Sequence, residues 1–242
     1  MKRYVFVDVD GCITPGKGKA MNLAAMLALR DEMAKSVYEV VLCTGRSASY
    51  AEAMAQMLDL RGWAICENGG YLYHPVQERL MYHPRLTQHT LGLIDQIKRR
   101  IQTDMRWNSR AQIEVDKAVA LTLLANDGDA ETLAGDLREW LHDSEINVIV
   151  RDQAVDILPQ AISKSAGVAH WARHHGEADL SVCSAIGDSD GDLGVFRMVG
   201  RAFAPANASE AVRATCRYVS EHAYTLGVID IFRRFLTTPL RS

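Results

Sequence analysis

Runs of apolar residues alternate with helical stretches along most of this chain, and the apolar runs stop abruptly at polar residues. Tyr4-Val5-Phe6-Val7 is a β-branched and aromatic run ending at Asp8, so it predicts a buried strand. A loop of glycine, lysine and proline follows, then a helix on which Leu23, Met26, Leu27 and Met33 recur at helical spacing. A second strand over Glu39–Cys43 ends at Thr44-Gly45-Arg46-Ser47, with Ser47 as cap of a helix that turns Met54, Met57 and Leu58 inward. Ala64–Cys66 predicts a third strand, and Glu67-Asn68-Gly69-Gly70 a turn before Tyr71-Leu72-Tyr73. Strands alternating with helices predict an α/β fold with a doubly wound, Rossmann-like parallel sheet.

The middle of the chain changes character. From about residue 82 to 158 the pattern is helix-strand-strand, twice. One helix carries Leu91, Ile94, Ile97 and Ile101, with strands near Ile113–Val115 and Val119–Leu124; the other carries Leu133, Leu137, Trp140 and Leu141, with strands near Val148–Val150 and Val155–Leu158. Short polar turns between adjacent strands predict an antiparallel sheet with two helices on one face, inserted as an α+β domain into a core of residues 1–81 and 159–242. After Pro159 the alternation resumes with a helix over Ile162–His174 and a strand over Leu180–Ile186. A strand near Arg201–Ala204, a helix from Ser209 and a helix over Leu226–Phe235 complete the core.

The composition is that of an ordinary globular protein, with 242 residues, 48% hydrophobic and 24% charged. A formal charge of −3 provides no general attraction for nucleic acid or anionic membrane. No apolar run approaches the roughly 20 residues that span a bilayer. The opening apolar stretch is interrupted by Asp8 and Asp10, so it lacks the core of a signal peptide. Five widely spaced cysteines without a CxxC pair read as reduced thiols, and the chain is expected to be cytoplasmic.

Three predicted strands end in Asp8 with Asp10, in Thr44, and in Asp188; in a parallel sheet these ends share the edge where open α/β sheets bind ligands. Lys164 joins them from the start of a helix. Clustered carboxylates resist ionisation unless a cation sits among them, and Mg2+ is the hard, oxygen-seeking ion that suits them. Asp8 and Asp188 are its expected ligands, while Lys164 and Thr44 suit phosphoryl oxygens. Asp10 lies two residues beyond Asp8, so in an extended segment its carboxyl points to the same side. Kept protonated by acidic neighbours, it would serve as general acid and then base.

These segments resemble the motifs of the haloacid dehalogenase superfamily. Asp8-Val9-Asp10-Gly11-Cys12-Ile13-Thr14 is similar to the first, Leu42-Cys43-Thr44-Gly45-Arg46 to the second, Ser163-Lys164 to the third and Gly187-Asp188-Ser189-Asp190-Gly191-Asp192 to the fourth. Glu67-Asn68-Gly69-Gly70 is similar to the Asn-Gly turn of members with a type IIB cap, a group that includes sucrose-phosphate and phosphoglycolate phosphatases. The resemblance implies Asp8 as nucleophile and Asp10 as acid/base, with Thr44, Gly45 and Lys164 as phosphate contacts. It places the metal on Asp8, Asp188 and the main-chain carbonyl of Asp10, with Asp192 as a further ligand or as a carboxylate supporting the ligands from behind, and makes residues 82–158 the cap. Asn68 and Arg46 are candidate substrate contacts; Arg46 reads equally well as a surface residue after a glycine turn. Cys12, Gly191 and Ala206 stand where the family pattern has Thr, Asn and Gly, and Asp190 is the nearest side chain to replace the missing amide.

The expected activity is Mg2+-dependent hydrolysis of a small phosphomonoester, a phosphorylated sugar or organic acid, through an aspartyl-phosphate. A phosphomutase of the phosphomannomutase type is the nearest alternative. A receiver-like phosphoaspartate module is a non-enzymatic one, although receivers carry their acceptor at the third strand, where Ala64–Cys66 has no aspartate. The Arg106-Trp107-Asn108-Arg110 turn either reads a leaving group or is an ordinary loop around a packed Trp. His170 and His174 lack a third ligand and read as a solvated helix face.

Overall fold

The computed structural model describes residues 2–142, 145–151 and 154–237. Strand β1 (Arg3–Val7) is buried from Tyr4 onward, as a strand covered on both faces must be. Helix α1 (Leu23–Ala34) begins at Asn22, whose side chain accepts the Ala25 N–H. It buries Ala25, Met26, Leu29 and Met33, whereas Leu23 and Leu27 are exposed, contrary to the sequence expectation. At 100° per residue the buried set defines one face, and Leu23 and Leu27 fall on the far side.

Strand β2 (Tyr38–Leu42) leads to α2 (Ala48–Leu58), which starts after Ser47. Strands β3 (Ala64–Cys66), β4 (Tyr71–His74) and β5 (Arg79–Tyr82) form a small sheet, with β3 and β4 antiparallel. β3 reaches the main sheet through one parallel bridge, Cys43 to Ile65. The sequence predicts β3 as a full member of the parallel sheet; instead all three of its residues pair antiparallel with β4.

Helix α3 (Gln88–Thr103) is closed at its start by a Thr87–Thr90 capping box and buries Ile94, Ile97 and Ile101. The short α4 (Met105–Asn108), β6 (Ala111–Ile113), β7 (Leu121–Ala125), α5 (Ala130–Trp140), β8 (Ile146–Arg151) and β9 (Ala154–Pro159) follow. The four strands make an antiparallel sheet ordered β6-β7-β9-β8. Trp107 is buried and stacks on Trp140 at 5.2 Å, and Arg110 pairs with Asp136 at 2.5 Å, so the Arg106–Arg110 turn is a packed corner of this unit.

Helix α6 (Lys164–His174) is capped by Ser163, whose hydroxyl accepts the Ala166 N–H at 3.1 Å. It packs Trp171 edge-on against Tyr4 at 4.6 Å and Phe6 at 5.2 Å. His170 is buried and only His174 is exposed, so the pair does not form a solvated face. Strand β10 is confined to Ser184–Ile186, because Asp179 accepts the Ser181 N–H and turns Leu180–Val182 into a 3-10 turn. Helix α7 (Leu193–Phe196), β11 (Arg201–Ala204), α8 (Glu210–Thr215), β12 (Tyr218–Val219) and α9 (Tyr224–Ile231) complete the chain, α9 passing into a π-helical turn over Phe232–Leu236.

The main sheet is all parallel and ordered β12-β11-β10-β1-β2, with Val7 level with both Leu42 and Ile186. That register brings the residues after β1, β2 and β10 to one edge, as the sequence predicts. The chain separates into two compact units, Met1–Met81 with Ser163–Ser242, and Tyr82–Ile162, each with its own apolar core. All five cysteines are free thiols. Among the described residues no helix is long and apolar enough to cross a membrane.

Candidate active site

The Lys164 ammonium holds the centre of this edge. It is 1% exposed and lies 2.5 Å from Asp8 Oδ2 and 2.7 Å from Asp192 Oδ1. A cation so deeply buried is tolerable only with opposite charge in contact. Asp8 continues from β1 and is itself buried, with Oδ1 accepting the Val9 N–H at 2.7 Å. Asp192 ends a 3-10 turn over Asp190–Asp192, and its Oδ2 accepts from Asp188 N, Ser189 N and Ser189 Oγ at 3.1–3.2 Å. Asp192 is thus held from both oxygens.

Asp188 completes a triad with Asp8 and Asp192, one ligand oxygen of each lying within 4.8 Å of the others. Burial, with the Asp8 and Asp192 carboxylates adding to it, pushes the Asp188 carboxyl up to about 8. Three carboxyl groups thus share one ammonium, so Asp188 resists ionisation unless a further cation joins them, and a hard divalent ion would let all three ionise. The donor set therefore fits Mg2+ or a similar ion. Gly11, at φ +83°, permits this approach, since a Cβ there would lie 2.0 Å from Asp188 Oδ2. Cys12 occupies the family's Thr position as a buried thiol 3.8 Å from Asp188 Oδ1. Burial and then Asp188 push that thiol well above its usual range, so it stays protonated.

Asp10 does not lie where alternation along a strand would put it. β1 ends at Val7, and the chain closes into a loop in which Cys12 N and Thr14 N both donate to Val9 O. The Asp10 carboxylate is outside the acidic triad and is gripped by Arg46, Nε to Oδ2 at 2.6 Å and Nη2 to Oδ1 at 2.9 Å. Its neighbour is a guanidinium and not the acidic groups expected. Arg46 is accordingly part of the site. It also lies over the Tyr50 ring at 4.5 Å, and Tyr50 is a residue that sequence reading missed despite its place one helical turn beyond Arg46.

Thr44 is fully buried, with its hydroxyl accepting the Arg46 N–H at 3.1 Å and its proton left to donate. Gly45 sits between them in the same loop. Asn68 is 2% exposed, and its main-chain N–H bonds Thr44 O at 3.0 Å, so it supports the loop from the adjacent turn. Asp190, the side chain nearest the amide absent at Gly191, is exposed, and its Oδ1 accepts the Ser209 hydroxyl at 2.7 Å. Asn207, unassigned from sequence, ties the site together by donating to Gly11 O and accepting from Tyr224 N, each at 2.9 Å.

The family model of the haloacid dehalogenase-like hydrolases matches residues 5–107 and 94–232. A phosphoglycolate phosphatase of Methanothermobacter thermautotrophicus is 27% identical over 97% of this chain and 99% of its own length. That of Archaeoglobus fulgidus is 24% identical over 94% of both. Among solved structures, a Thermoplasma acidophilum protein superposes with a TM-score of 0.74 at 18% identity, covering 97% of this chain and 98% of its own. The sucrose-phosphatase of Synechocystis sp. PCC6803, in complex with sucrose and phosphate, does so at 0.69 and 18%, with the same coverage. With the model spanning nearly the whole chain and the parallel sheet presenting its carboxylates at one edge, the protein belongs to the haloacid dehalogenase-like hydrolase family.

Proposed function

We propose that the chain is a Mg2+-dependent phosphatase that hydrolyses a small phosphomonoester through an aspartyl-phosphate on Asp8. The observation that carries this reading is the buried Lys164 ammonium in contact with Asp8 and Asp192, two members of a triad whose third member, Asp188, has its ligand oxygen within 4.8 Å of theirs. Asp8, Asp188, Asp192 and the Asp10 carbonyl would hold the ion, which supplies neutralisation of the charge gathered between carboxylate and phosphate.

In the first half-reaction an Asp8 oxygen forms a bond to phosphorus as the bond to the leaving oxygen breaks, and Asp10 gives that oxygen a proton. In the second, water attacks phosphorus, Asp10 takes its proton, and the bond to Asp8 breaks to release phosphate. Both Asp10 oxygens are engaged by Arg46, so each transfer needs one of them released. Lys164, the Thr44 hydroxyl and the Gly45 main chain bind phosphoryl oxygens as charge spreads over them.

The substrate class is a phosphorylated organic acid or sugar, in keeping with relatives named for phosphoglycolate and a structural neighbour that holds sucrose and phosphate. The Tyr82–Ile162 unit is the part we assign to substrate choice. Phosphate release from a panel including phosphoglycolate, sucrose phosphate, other sugar phosphates and nucleotides tests the reading, with Asp8→Asn as the blank. Turnover in Mg2+ that vanishes in Asp8→Asn is expected. No phosphate released from any member would refute it, and transfer to a second sugar hydroxyl without release would assign a mutase instead.

A further inference from the structure

Behind Thr44 the Glu67-Asn68-Gly69 turn carries a conformation that ordinary side chains avoid. Its three residues have φ of +44°, +57° and +93°, and two of them bear a Cβ. Such a left-handed run persists only where its surroundings over-determine it. Those surroundings are two elements of the site. On one side Asn68 N donates to Thr44 O at 3.0 Å and Glu67 N to Arg46 O at 2.9 Å. On the other, a Cβ at Gly69 would lie 2.3 Å from Ser163 O and 2.8 Å from Gly167 N, so the turn rests on the first turn of α6, which carries Lys164.

The main-chain contacts have a directional consequence. A trans peptide points its C=O and N–H in opposite directions. With Thr44 O fixed on Asn68, the Gly45 N–H is directed away from the turn. The Glu67 side chain is fully buried and accepts the Tyr71 hydroxyl at 3.0 Å, and that same hydroxyl accepts Ala48 N–H at 2.9 Å at the start of α2. Burial and the Glu67 carboxylate push the Tyr71 phenol above its ordinary range, so it remains a donor. A chain of bonds thus runs from α2 through Tyr71 and Glu67 to the Thr44–Arg46 loop, and from the same turn to α6.

We infer that Glu67 and Tyr71 are positioning residues that set the distance between the Thr44–Gly45 loop and Lys164, and thereby the affinity of the site for the phosphoryl group whatever the leaving group. This rests on the phosphatase reading and deepens it. Neither residue touches the reacting atoms; both act through main-chain groups that do.

The test compares Tyr71→Phe, Glu67→Ala and Glu67→Gln with Tyr73→Phe in the full chain. Tyr73 lies on the same strand and also gives its hydroxyl to a carboxylate, but that carboxylate is Glu52 on α2, at 2.8 Å, and not one of the turn. KM for two substrates with different leaving groups, the inhibition constant of inorganic phosphate, the Mg2+ activation constant and the melting temperature are measured for each. Tyr71→Phe and Glu67→Ala are expected to raise KM for both substrates and the phosphate inhibition constant together, on the order of tenfold, with the Mg2+ constant unchanged. Glu67→Gln keeps an acceptor for the phenol and is expected to restore most of the loss. Tyr73→Phe should leave phosphate inhibition as in the wild type. A phosphate inhibition constant in Tyr71→Phe and Glu67→Ala within twofold of the wild type, or an equal change in Tyr73→Phe, would overturn the inference while wild-type turnover leaves the phosphatase reading standing. No turnover by the wild type would overturn both.

Discussion

Replacing Lys164 by Met keeps much of the buried stem and deletes its charge, which makes it a direct probe of site electrostatics. The wild-type ammonium contacts Asp8 at 2.5 Å and Asp192 at 2.7 Å and is 1% exposed, so no solvent can take its place. Removing one partner of a buried ion pair costs about 3–5 kcal/mol, most of it from the charge left behind. At roughly 2–4 °C per kcal/mol for a unit of this size, the melting temperature should fall by about 6–20 °C in EDTA. Saturating Mg2+ should return part of that loss, since an ion at 100 times its dissociation constant contributes about 2.7 kcal/mol. Asp8→Asn added to Lys164→Met should return part as well, because it removes one of the stranded charges. Scanning calorimetry of the single and double variants, with and without Mg2+, measures all of this. A loss below about 2 °C in EDTA, or a double variant no more stable than Lys164→Met, would refute the electrostatic reasoning.

Asp188 has a folded value pushed up to about 8 from an ordinary 3.8, so the folded protein binds more protons than the unfolded chain across that window. Its contribution to stability is complete below about pH 4 and lost as pH rises through about 8. Melting temperatures in EDTA should show this fall, and Asp188→Asn or added Mg2+ should flatten it. Gly11→Ala forces a Cβ toward Asp188 at a positive φ, and isothermal titration should show weakened Mg2+ binding by about tenfold or more. Thr44→Val removes the buried donor and the acceptor of the Arg46 N–H, and should lower kcat/KM by about 10²-fold while costing about 1–3 kcal/mol of stability. Trp107→Ala opens a cavity against Trp140 and should cost about 3–5 kcal/mol, with hydrogen-exchange protection lost across Tyr82–Ile162 while β1 and β2 keep theirs.

The sheet edge was legible because its signals are local. Short apolar runs that stop at or just before Asp8, Thr44 and Asp188 specify buried parallel strands, and parallel strands put like ends together. The helix-strand-strand repeat between Tyr82 and Ile162 was legible for the same reason, its apolar periods being clear on each element. Asp10 was misplaced because β1 stops at Val7, and the loop that redirects its carboxylate to Arg46 is built from main-chain bonds that no side-chain pattern announces. Leu180–Val182 looks like a strand by composition, yet one Asp179 cap turns it aside. The segments that hold Asn207, Tyr71 and Glu67 were legible but their supporting roles were not, because each acts through a contact to main chain or to a residue on another element. Leu23 and Leu27 share the helical period of Met26 and Met33 in composition but not in phase.

The phosphoryl group's stay on Asp8 is the claim on which the rest depends. Wild-type protein quenched during turnover and reduced with borohydride should carry homoserine at position 8, read by peptide mass spectrometry, because reduction of an aspartyl-phosphate leaves that residue behind. Unmodified Asp8 in protein that is releasing phosphate at the moment of quenching, or homoserine at any other position, would contradict the account.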